Sequence, residues 1–232
     1  MIPEYIPTQE QLSNKLWRLC NLYYITDKSG NEILFNLNWA QQQLNDDPWN
    51  KVIILKARQL GITTYYAINF LDDCFWYKNT NAGIIAHRKE SSEEIFKKKV
   101  KYAYDRMPKW TRVFNNAVND RSGELSFENG SSYRVSTGFR SGTYSSLLVS
   151  EFGKICSKEP DVAKEIVLGS FQTVAEDQQL IVESTAEGRE GYFFEYCKQA
   201  EALKESGRKL TKMDFKFHFF PWYDEKSYRL EL

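Results

Sequence analysis

The sequence has few of the residues that build disulfide frameworks and zinc sites. Its four cysteines lie far apart and form no CxxC pair, and only two histidines occur in 232 residues. Secreted disulfide scaffolds and structural zinc modules need closely spaced ligands of these kinds, so neither class fits the sequence. We expect four reduced, buried thiols, as in a protein of the cytoplasm.

Net charge and long apolar runs are also missing. Lysine plus arginine equal aspartate plus glutamate at 31 each, so any DNA contact must come from a local patch or a partner. The densest basic cluster, residues 97–101, is interpreted as a solvated helix face. No apolar run is long enough to cross a bilayer, and the first ten residues lack the layout of a signal peptide. We predict a protein without a membrane span that is not secreted.

Short apolar segments alternate with helix-like segments along most of the chain. The predicted strands cover residues 51–55, 82–86, 146–150 and 180–183, and the predicted helices between them cover 63–76, 91–106 and 161–173. Such alternation predicts one α/β domain with a mainly parallel sheet flanked by helices on both faces. Ligands of these folds gather at the carboxyl ends of the strands, so the strand ends are where chemistry is expected.

Two further features complete the predicted fold. Asn129-Gly130 lies between two strand-like segments and is a strong signal for a β-hairpin insertion. Helices predicted at 12–24 and 38–46 form a small N-terminal helical segment, the second one ending before Pro48.

The loop after the first strand has the features of a phosphate cradle. Aligned with the phosphate-loop pattern GxxxxGK[ST], it places Lys56 on the first glycine and Ile62 on the lysine. A lysine at the strand end can nevertheless extend across the loop to the β- and γ-phosphates. Gly61 would then allow close backbone approach, and the Thr63 hydroxyl would coordinate Mg²⁺. An ordinary strand-to-helix turn with a surface lysine remains the alternative.

Acidic and hydroxyl side chains follow the next buried strand. Glu151 stands where a carboxylate could polarise the attacking water of an ATPase. Ser150 stands where an aspartate would normally hold the metal, and it can do so only weakly or through a water molecule. A solvent-exposed loop charge is the alternative interpretation of Glu151.

Two arginines and the end of the fourth strand supply the remaining candidates. Arg140, in a glycine-punctuated loop, and Arg58, inside the cradle, could each act as an arginine finger, or each could be a surface residue or part of a structural salt bridge. The fourth strand ends in residues 183–188, where the hydroxyls of Ser184 and Thr185 could sense the γ-phosphate. Three successive strand ends therefore carry a cradle, an acid and a polar sensor.

Four segments in this order resemble the motifs of a known family. Residues 56–64 resemble its Walker A segment, 145–151 its Walker B strand, 183–188 its coupling motif, and 219–223 the Pro-Trp segment that closes its ATPase domain. The chain looks like the ATPase domain of the large terminase subunit of tailed bacteriophages, the motor that packages DNA into procapsids. The resemblance spans nearly the whole chain and implies a P-loop NTPase fold of the ASCE, RecA-like type.

The resemblance also implies roles for individual residues. Gln41 is similar to a glutamine that reads adenine, although Gln42 or Gln43 could take that role. His87 follows the strand after the first ATPase helix and is expected to be structural or coupling, as Ser184 and Thr185 are expected to be coupling. Arg140 would act in trans and Arg58 in cis. The implied nucleotide-binding loop consists of Lys56, Ala57, Gln59, Leu60, Gly61, Ile62, Thr63 and Thr64.

Finally, the resemblance implies cofactors and partners. The cofactors are ATP and Mg²⁺, the latter held by Thr63, Ser150 and Glu151 partly through water. The implied partners are double-stranded DNA, the portal protein and the small terminase subunit, in the cytoplasm of the infected bacterium. The chain itself would form a ring on the procapsid and be a monomer when isolated.

The resemblance also implies a division of the chain. Residues 1–47 would form the N-terminal helical segment and 48–220 the ATPase core with a small lid. Residues 221–232 would begin a linker toward an absent nuclease domain, so nuclease activity is not expected.

The sequence departs from the usual motifs at two positions: Ile62 replaces the usual lysine, and Ser150 replaces the usual aspartate. We therefore predict weaker nucleotide affinity and weaker Mg²⁺ dependence than in family members that have both residues. Turnover by the isolated domain is expected to be slow, because a finger donated in trans needs the assembled ring.

Overall fold

The β-branched and apolar runs of the sequence pair into one eight-stranded sheet, with a separate two-stranded ribbon near the N-terminus. The computed structural model describes residues 7–121, 123–139 and 142–228. Within these ranges the strands are β1 (Tyr24–Thr26), β2 (Glu32–Leu34), β3 (Lys51–Lys56), β4 (Asn81–Ile85), β5 (Ala117–Arg121), β6 (Glu124–Phe127), β7 (Ser132–Ser136), β8 (Tyr144–Ser150), β9 (Val174–Ser184) and β10 (Lys216–Phe220).

Helices cover both faces of this sheet. In the same described ranges they are α1 (Gln9–Ser13), α2 (Lys15–Leu22), α3 (Trp39–Asp46), α4 (Ile62–Trp76), α5 (Lys89–Ile95), α6 (Tyr102–Arg106), α7 (Phe152–Lys158), α8 (Pro160–Leu168) and α9 (Gly191–Glu205). A π-helical turn, Phe96–Lys101, joins α5 to α6, and 3-10 turns cover Lys109–Val113, Ser170–Thr173, Trp222–Asp224 and Lys226–Tyr228.

The sheet has the strand order β10-β3-β9-β8-β4-β7-β6-β5. All pairs from β10 to β7 are parallel, and β7, β6 and β5 are joined by antiparallel pairs. The predicted mainly parallel α/β sheet and its β-hairpin insertion are thus confirmed. The strand before the cradle, β3, lies between β10 and β9, and β9 separates it from β8. The carboxyl ends of β3, β9 and β8 therefore meet at one edge.

Several predicted boundaries shift for local reasons. The helix predicted at 12–24 is two helices, because the Asn14 side chain accepts the Trp17 N–H at 3.0 Å and starts a new helix there. The helix predicted at 161–173 ends at Leu168 and continues as a 3-10 turn. The fourth predicted strand is longer than expected and begins at Val174.

Two apolar layers pack against the sheet. One contains α4, whose residues are buried on nearly all sides, together with α2 and the helices after β4; the other contains α7, α8 and α9. All four cysteines are free: Cys74 and Cys197 are buried, and Cys20 and Cys156 are half-buried. No helix in the described part of the chain is both long and apolar enough to span a membrane.

A buried ion pair ties the N-terminal segment to α4. Arg18 Nη2 lies 2.6 Å from Asp72 Oδ2, and the Tyr23 hydroxyl donates to Asp72 Oδ1 at 3.0 Å. The side chains of Arg18 and Asp72 are 3% and 0% exposed. Because both charges are removed from water, each depends on the other for its neutralisation.

Arg18→Met should lower the free energy of unfolding by about 3–5 kcal/mol, because it leaves Asp72 as an unpaired buried carboxylate. The double variant Arg18→Met/Asp72→Leu should recover most of this loss, since it removes both charges. Urea unfolding measures both effects, with Lys98→Met as the control, because the pair of Lys98 with Glu94 is exposed and should contribute less than about 1 kcal/mol. A loss below about 1 kcal/mol in Arg18→Met would contradict the argument.

Candidate active site

The loop between β3 and α4 has the backbone of an anion cradle. Gln59 and Gly61 both adopt left-handed conformations, with φ of 56° and 69°. Leu60, between them, is 1% exposed and anchors the loop in the core. Alternation of left- and right-handed residues makes the concave arrangement of N–H groups that binds phosphates, and the loop runs directly into a helix N-terminus. Gln59 holds this conformation without being glycine, at a cost of about 1–3 kcal/mol.

Asn38, which caps α3, and Gln41, within α3, hydrogen-bond to the carbonyl groups of this loop. Gln41 Nε2 donates to the Gly61 carbonyl at 2.8 Å, and its Oε1 accepts from the Asn38 N–H at 3.0 Å. Asn38 Nδ2 donates to the Leu60 carbonyl at 2.9 Å. A Cβ at Gly61 would come within 2.6 Å of Gln41 Nε2 and would displace that amide, and the φ of 69° favours glycine at this position as well.

Gln41, the predicted reader of adenine, lies next to the cradle. Its side chain is buried and both ends of its amide are bonded within the protein, so a base contact would have to replace one of these bonds. The Gln42 amide donates to Asp46 Oδ1 at 2.7 Å, and Gln43 is exposed. Which of the three glutamines reads a base stays a prediction.

Lys56 ends β3 and lies between two carboxylates. Its Nζ is 3.0 Å from Glu183 Oε2 and 3.4 Å from Glu151 Oε1, and the residue is 8% exposed. Burial alone would lower the pKa of Lys56, but the charges of Glu183 and Glu151 raise it above its ordinary value. The predicted lysine is therefore a protonated ammonium at the mouth of the cradle.

Ile62, at the position of the usual lysine, is 1% exposed and packs into the hydrophobic core. The charge near the loop thus comes from the strand end and not from the first residue of α4.

Glu183 is the residue at this edge whose role the sequence did not reveal. It is in register with Ser150 on the neighbouring strand and is 0% exposed. Its Oε1 accepts from Ser150 Oγ at 2.6 Å and from Thr63 Oγ1 at 2.9 Å. A glutamate inside the apolar run of β9 was the available signal, since a carboxylate in a buried strand must be paired.

Glu151 follows β8 and has a strained backbone, with φ of 56° and ψ of 41°. Its Oε2 lies 2.9 Å from Lys154 Nζ and accepts from Thr185 Oγ1 at 3.4 Å, while Oε1 faces Lys56. Burial raises the pKa of Glu151, but the charge of Lys56 and the bond from Lys154 lower it below its ordinary value. The side chain is therefore an ionised carboxylate directly after β8, as a general base requires.

The predicted coupling residues lie around Glu151. Ser184 is 0% exposed, and its Oγ has no hydrogen-bond partner in the described part of the chain. A Cβ at Gly153 would lie 2.8 Å from this oxygen, so α7 packs closely on the end of β9. Burial and the charge of Lys154 lower the pKa of His87, while Glu151 raises it, which places His87 within electrostatic reach of the site.

Of the remaining predicted site residues, Arg58 and Thr64 lie in the described part of the chain. Arg58 is exposed on the loop, and its carbonyl accepts a hydrogen bond from the Tyr228 hydroxyl. Thr64 accepts from Lys99 Nζ at 2.7 Å, so one lysine of the basic cluster turns inward, contrary to the predicted solvated face. Arg140 lies outside the described residues.

A cavity of about 770 Å³ opens beside the loop. Lys56 and Arg58 line one part of it, and Trp222, Tyr223 and Tyr228 supply an aromatic wall. This volume is in the range of small-molecule sites, and the wall offers flat apolar surface next to two cationic residues.

The strand order, the cradle and the polar strand ends together define an α/β P-loop NTPase fold of the RecA-like type. No family model and no curated protein matches the chain. Among solved structures, the large terminase ATPase domain of Thermus phage P74-26 matches with a TM-score of 0.57 and 17% identity, covering 82% of this chain and 83% of that one. The large terminase of a thermophilic bacteriophage matches with a TM-score of 0.50 and 9% identity, covering 80% and 46%. The predicted likeness to terminase ATPase domains is confirmed at the level of the fold.

Proposed function

We propose that this chain is the ATPase motor domain of a phage large terminase, coupling ATP hydrolysis to translocation of double-stranded DNA into procapsids. The observation that carries the proposal is the convergence of Lys56, Thr63 and Glu151 at one sheet edge, beside a loop with two left-handed residues. The similarity of this fold to that of a terminase ATPase domain supports the proposal independently.

In this proposal Lys56 and the loop N–H groups bind the β- and γ-phosphates, which requires Lys56 to leave its two carboxylates for the nucleotide. Glu151 orients a water molecule for in-line attack on the γ-phosphate and accepts its proton. Its lowered pKa keeps it ionised at neutral pH. Arg58 would stabilise the developing charge in cis and Arg140 of a neighbouring subunit in trans.

The residues at this edge also fit Mg²⁺. Thr63 Oγ1 and Ser150 Oγ lie 3.4 Å apart, and both donate to a buried carboxylate, so oxygen ligands of the type that Mg²⁺ prefers meet there. When bound with the nucleotide, the ion neutralises charge on the phosphates. Thr63, Ser150 and, through water, Glu151 would hold it.

Ser184, Thr185 and His87 would couple hydrolysis to movement. Thr185 Oγ1 is within hydrogen-bonding distance of both Glu151 and Glu187, so it joins the proposed base to the segment after β9. The adenine would lie beside the loop, with Gln41 as its proposed reader. Gln41 is bonded to the Gly61 carbonyl and is not among the residues that line the aromatic-walled cavity.

The partners follow from the proposed motor role. They are double-stranded DNA, the portal protein and the small terminase subunit, in the cytoplasm of the infected bacterium. The chain would be monomeric when isolated and form a ring on the procapsid.

A nucleotide-binding assembly module is the second candidate, favoured by the buried isoleucine at the position of the usual lysine. A third candidate, a helicase-like DNA-stimulated ATPase, shares the chemistry of the site.

Calorimetry beside a phosphate-release assay separates these functions. We expect MgATP to bind with a micromolar Kd, about −8 kcal/mol, and phosphate to be released slowly by the isolated chain and faster with partners and DNA. Binding without turnover in the full assembly would indicate the module, and strand displacement would indicate a helicase. No binding heat at millimolar MgATP would contradict the proposed function.

A further inference from the structure

Strand β8 lacks the carboxylate that would hold a metal ion, and the neighbouring strand, β9, supplies one at the same level of the sheet. Ser150 and Glu183 are register partners on β8 and β9. The carboxylate of Glu183 contacts the hydroxyls of Ser150 and Thr63 through the same oxygen, at 2.6 Å and 2.9 Å. Three oxygen ligands thus meet next to the first turn of α4, although β8 itself contributes only a hydroxyl.

The negative charge of Glu183 is balanced by Lys56, which has to move away if it binds the phosphates of a nucleotide. The side chains of Lys56 and Glu183 are 6% and 0% exposed, and their charged atoms are 3.0 Å apart. If Lys56 pairs with phosphates, the direct contacts that Glu183 keeps among the described residues are two neutral hydroxyls. Lys99, whose ammonium donates to Thr64, acts on Glu183 only electrostatically, from beyond contact distance. A buried carboxylate without a cation is strongly unfavourable, so in the nucleotide complex Glu183 must either take up a proton or gain another cation at this point.

We propose that Glu183 anchors the Mg²⁺ that accompanies the nucleotide, taking the place that β8 leaves to Ser150. Nucleotide binding then exchanges one cation for another: the ammonium of Lys56 leaves Glu183 for the phosphates, and the metal ion takes its position against the carboxylate. The inference rests on the proposed function, since it requires a bound nucleotide. The alternative is a purely structural Lys56–Glu183 pair that joins β3 to β9.

The test measures how strongly Mg²⁺ changes nucleotide affinity. Calorimetry with ATP, in Mg²⁺ and in EDTA, gives this ratio for the wild-type protein and for Glu183→Gln. We expect Mg²⁺ to strengthen wild-type binding at least about tenfold and to strengthen binding to Glu183→Gln less than about threefold. Metal-free binding should be unchanged or tighter in Glu183→Gln, because Lys56 no longer has to leave a buried carboxylate.

A structural pair predicts a different result, because disrupting it would weaken binding with and without Mg²⁺ alike. Ser150→Asp in the Glu183→Gln background should restore the Mg²⁺ dependence, since it returns a carboxylate to β8. Glu176→Gln is the matched control: it makes the same charge change on an exposed residue near the other end of β9 and should keep the wild-type ratio. Thermal unfolding of each variant shows whether it is folded.

A crystal structure of the wild-type protein with ADP and Mn²⁺ tests the inference without any variant. We expect the anomalous peak of Mn²⁺ to lie against the Glu183 carboxylate, directly or through one water molecule. A peak that contacts Ser150 and Glu151 but not Glu183, or an unchanged Mg²⁺ ratio in Glu183→Gln, would overturn the inference and leave the proposed ATPase standing. A wild-type protein that binds no nucleotide would overturn the proposed function as well.

Discussion

Glu151→Gln should bind MgATP with near wild-type affinity and release phosphate at least about 100-fold more slowly. The amide keeps the size of the side chain but cannot accept the proton of the attacking water. Lys56 and Lys154 both face the present carboxylate, so the variant loses charge at a site whose shape it keeps. Calorimetry measures the affinity, and single-turnover phosphate release measures the chemical step.

Glu159→Gln is the matched control for this variant. Glu159 is exposed and lies directly after α7, whereas Glu151 lies directly before the same helix. It should release phosphate at the wild-type rate. Turnover of Glu151→Gln within about threefold of wild type would show that Glu151 is not the base. A loss of nucleotide binding in Glu151→Gln would instead show that the carboxylate helps to form the nucleotide site.

Lys56→Met should lose both nucleotide binding and stability. The affinity for MgATP should fall about 10–100-fold, the contribution of a charge-assisted contact to phosphate, and hydrolysis should fall below detection. The free energy of unfolding should fall by about 3–5 kcal/mol, because Glu183 is left buried without its cation. Calorimetry and urea unfolding measure the two losses separately.

The double variant Lys56→Met/Glu183→Gln separates these effects, since it should regain most of the stability without regaining nucleotide binding. Lys51→Met, at the opposite end of β3, is the control for removing a lysine from this strand and should keep the MgATP affinity. Ile62→Val should also keep the affinity within about threefold, because it changes no charge. Retained binding in Lys56→Met, with loss in Ile62→Val, would show that the phosphate charge was assigned to the wrong residue.

The alternation of strands and helices could be predicted because it depends on local patterns. The Asn129-Gly130 turn indicates the β6–β7 hairpin, where Gly130 has φ of 82°. The rule that ligands collect at the carboxyl ends of parallel strands predicts that Lys56 and Glu151 lie close together, and their charged atoms are 3.4 Å apart.

The role of Glu183 could not be predicted because it depends on a register between strands. Ser150 and Glu183 are 33 positions apart in the chain, and only the parallel pairing of β8 with β9 sets them side by side. Periodicity shows which face of a strand is buried but not which residue of another strand lies opposite. The inward orientation of the Lys99 side chain could not be predicted either. Lys99 lies in a π-helical turn, where the 3.6-residue period of an α-helix does not give the direction of a side chain.

The Arg18–Asp72 pair limits how far the chain can be shortened at its N-terminus. Asp72 lies ten residues after the start of α4, about 15 Å along the helix from the cradle, and Lys15 also reaches the neighbouring Asp73 at 2.7 Å. A chain shortened to begin at residue 48 would lose both cations and uncover the apolar side of the helix that carries Thr63. We therefore expect crystallisation and ATPase assays to need a chain that retains residues 15–22, because α2 packs on α4 and supplies the cations that pair with Asp72 and Asp73.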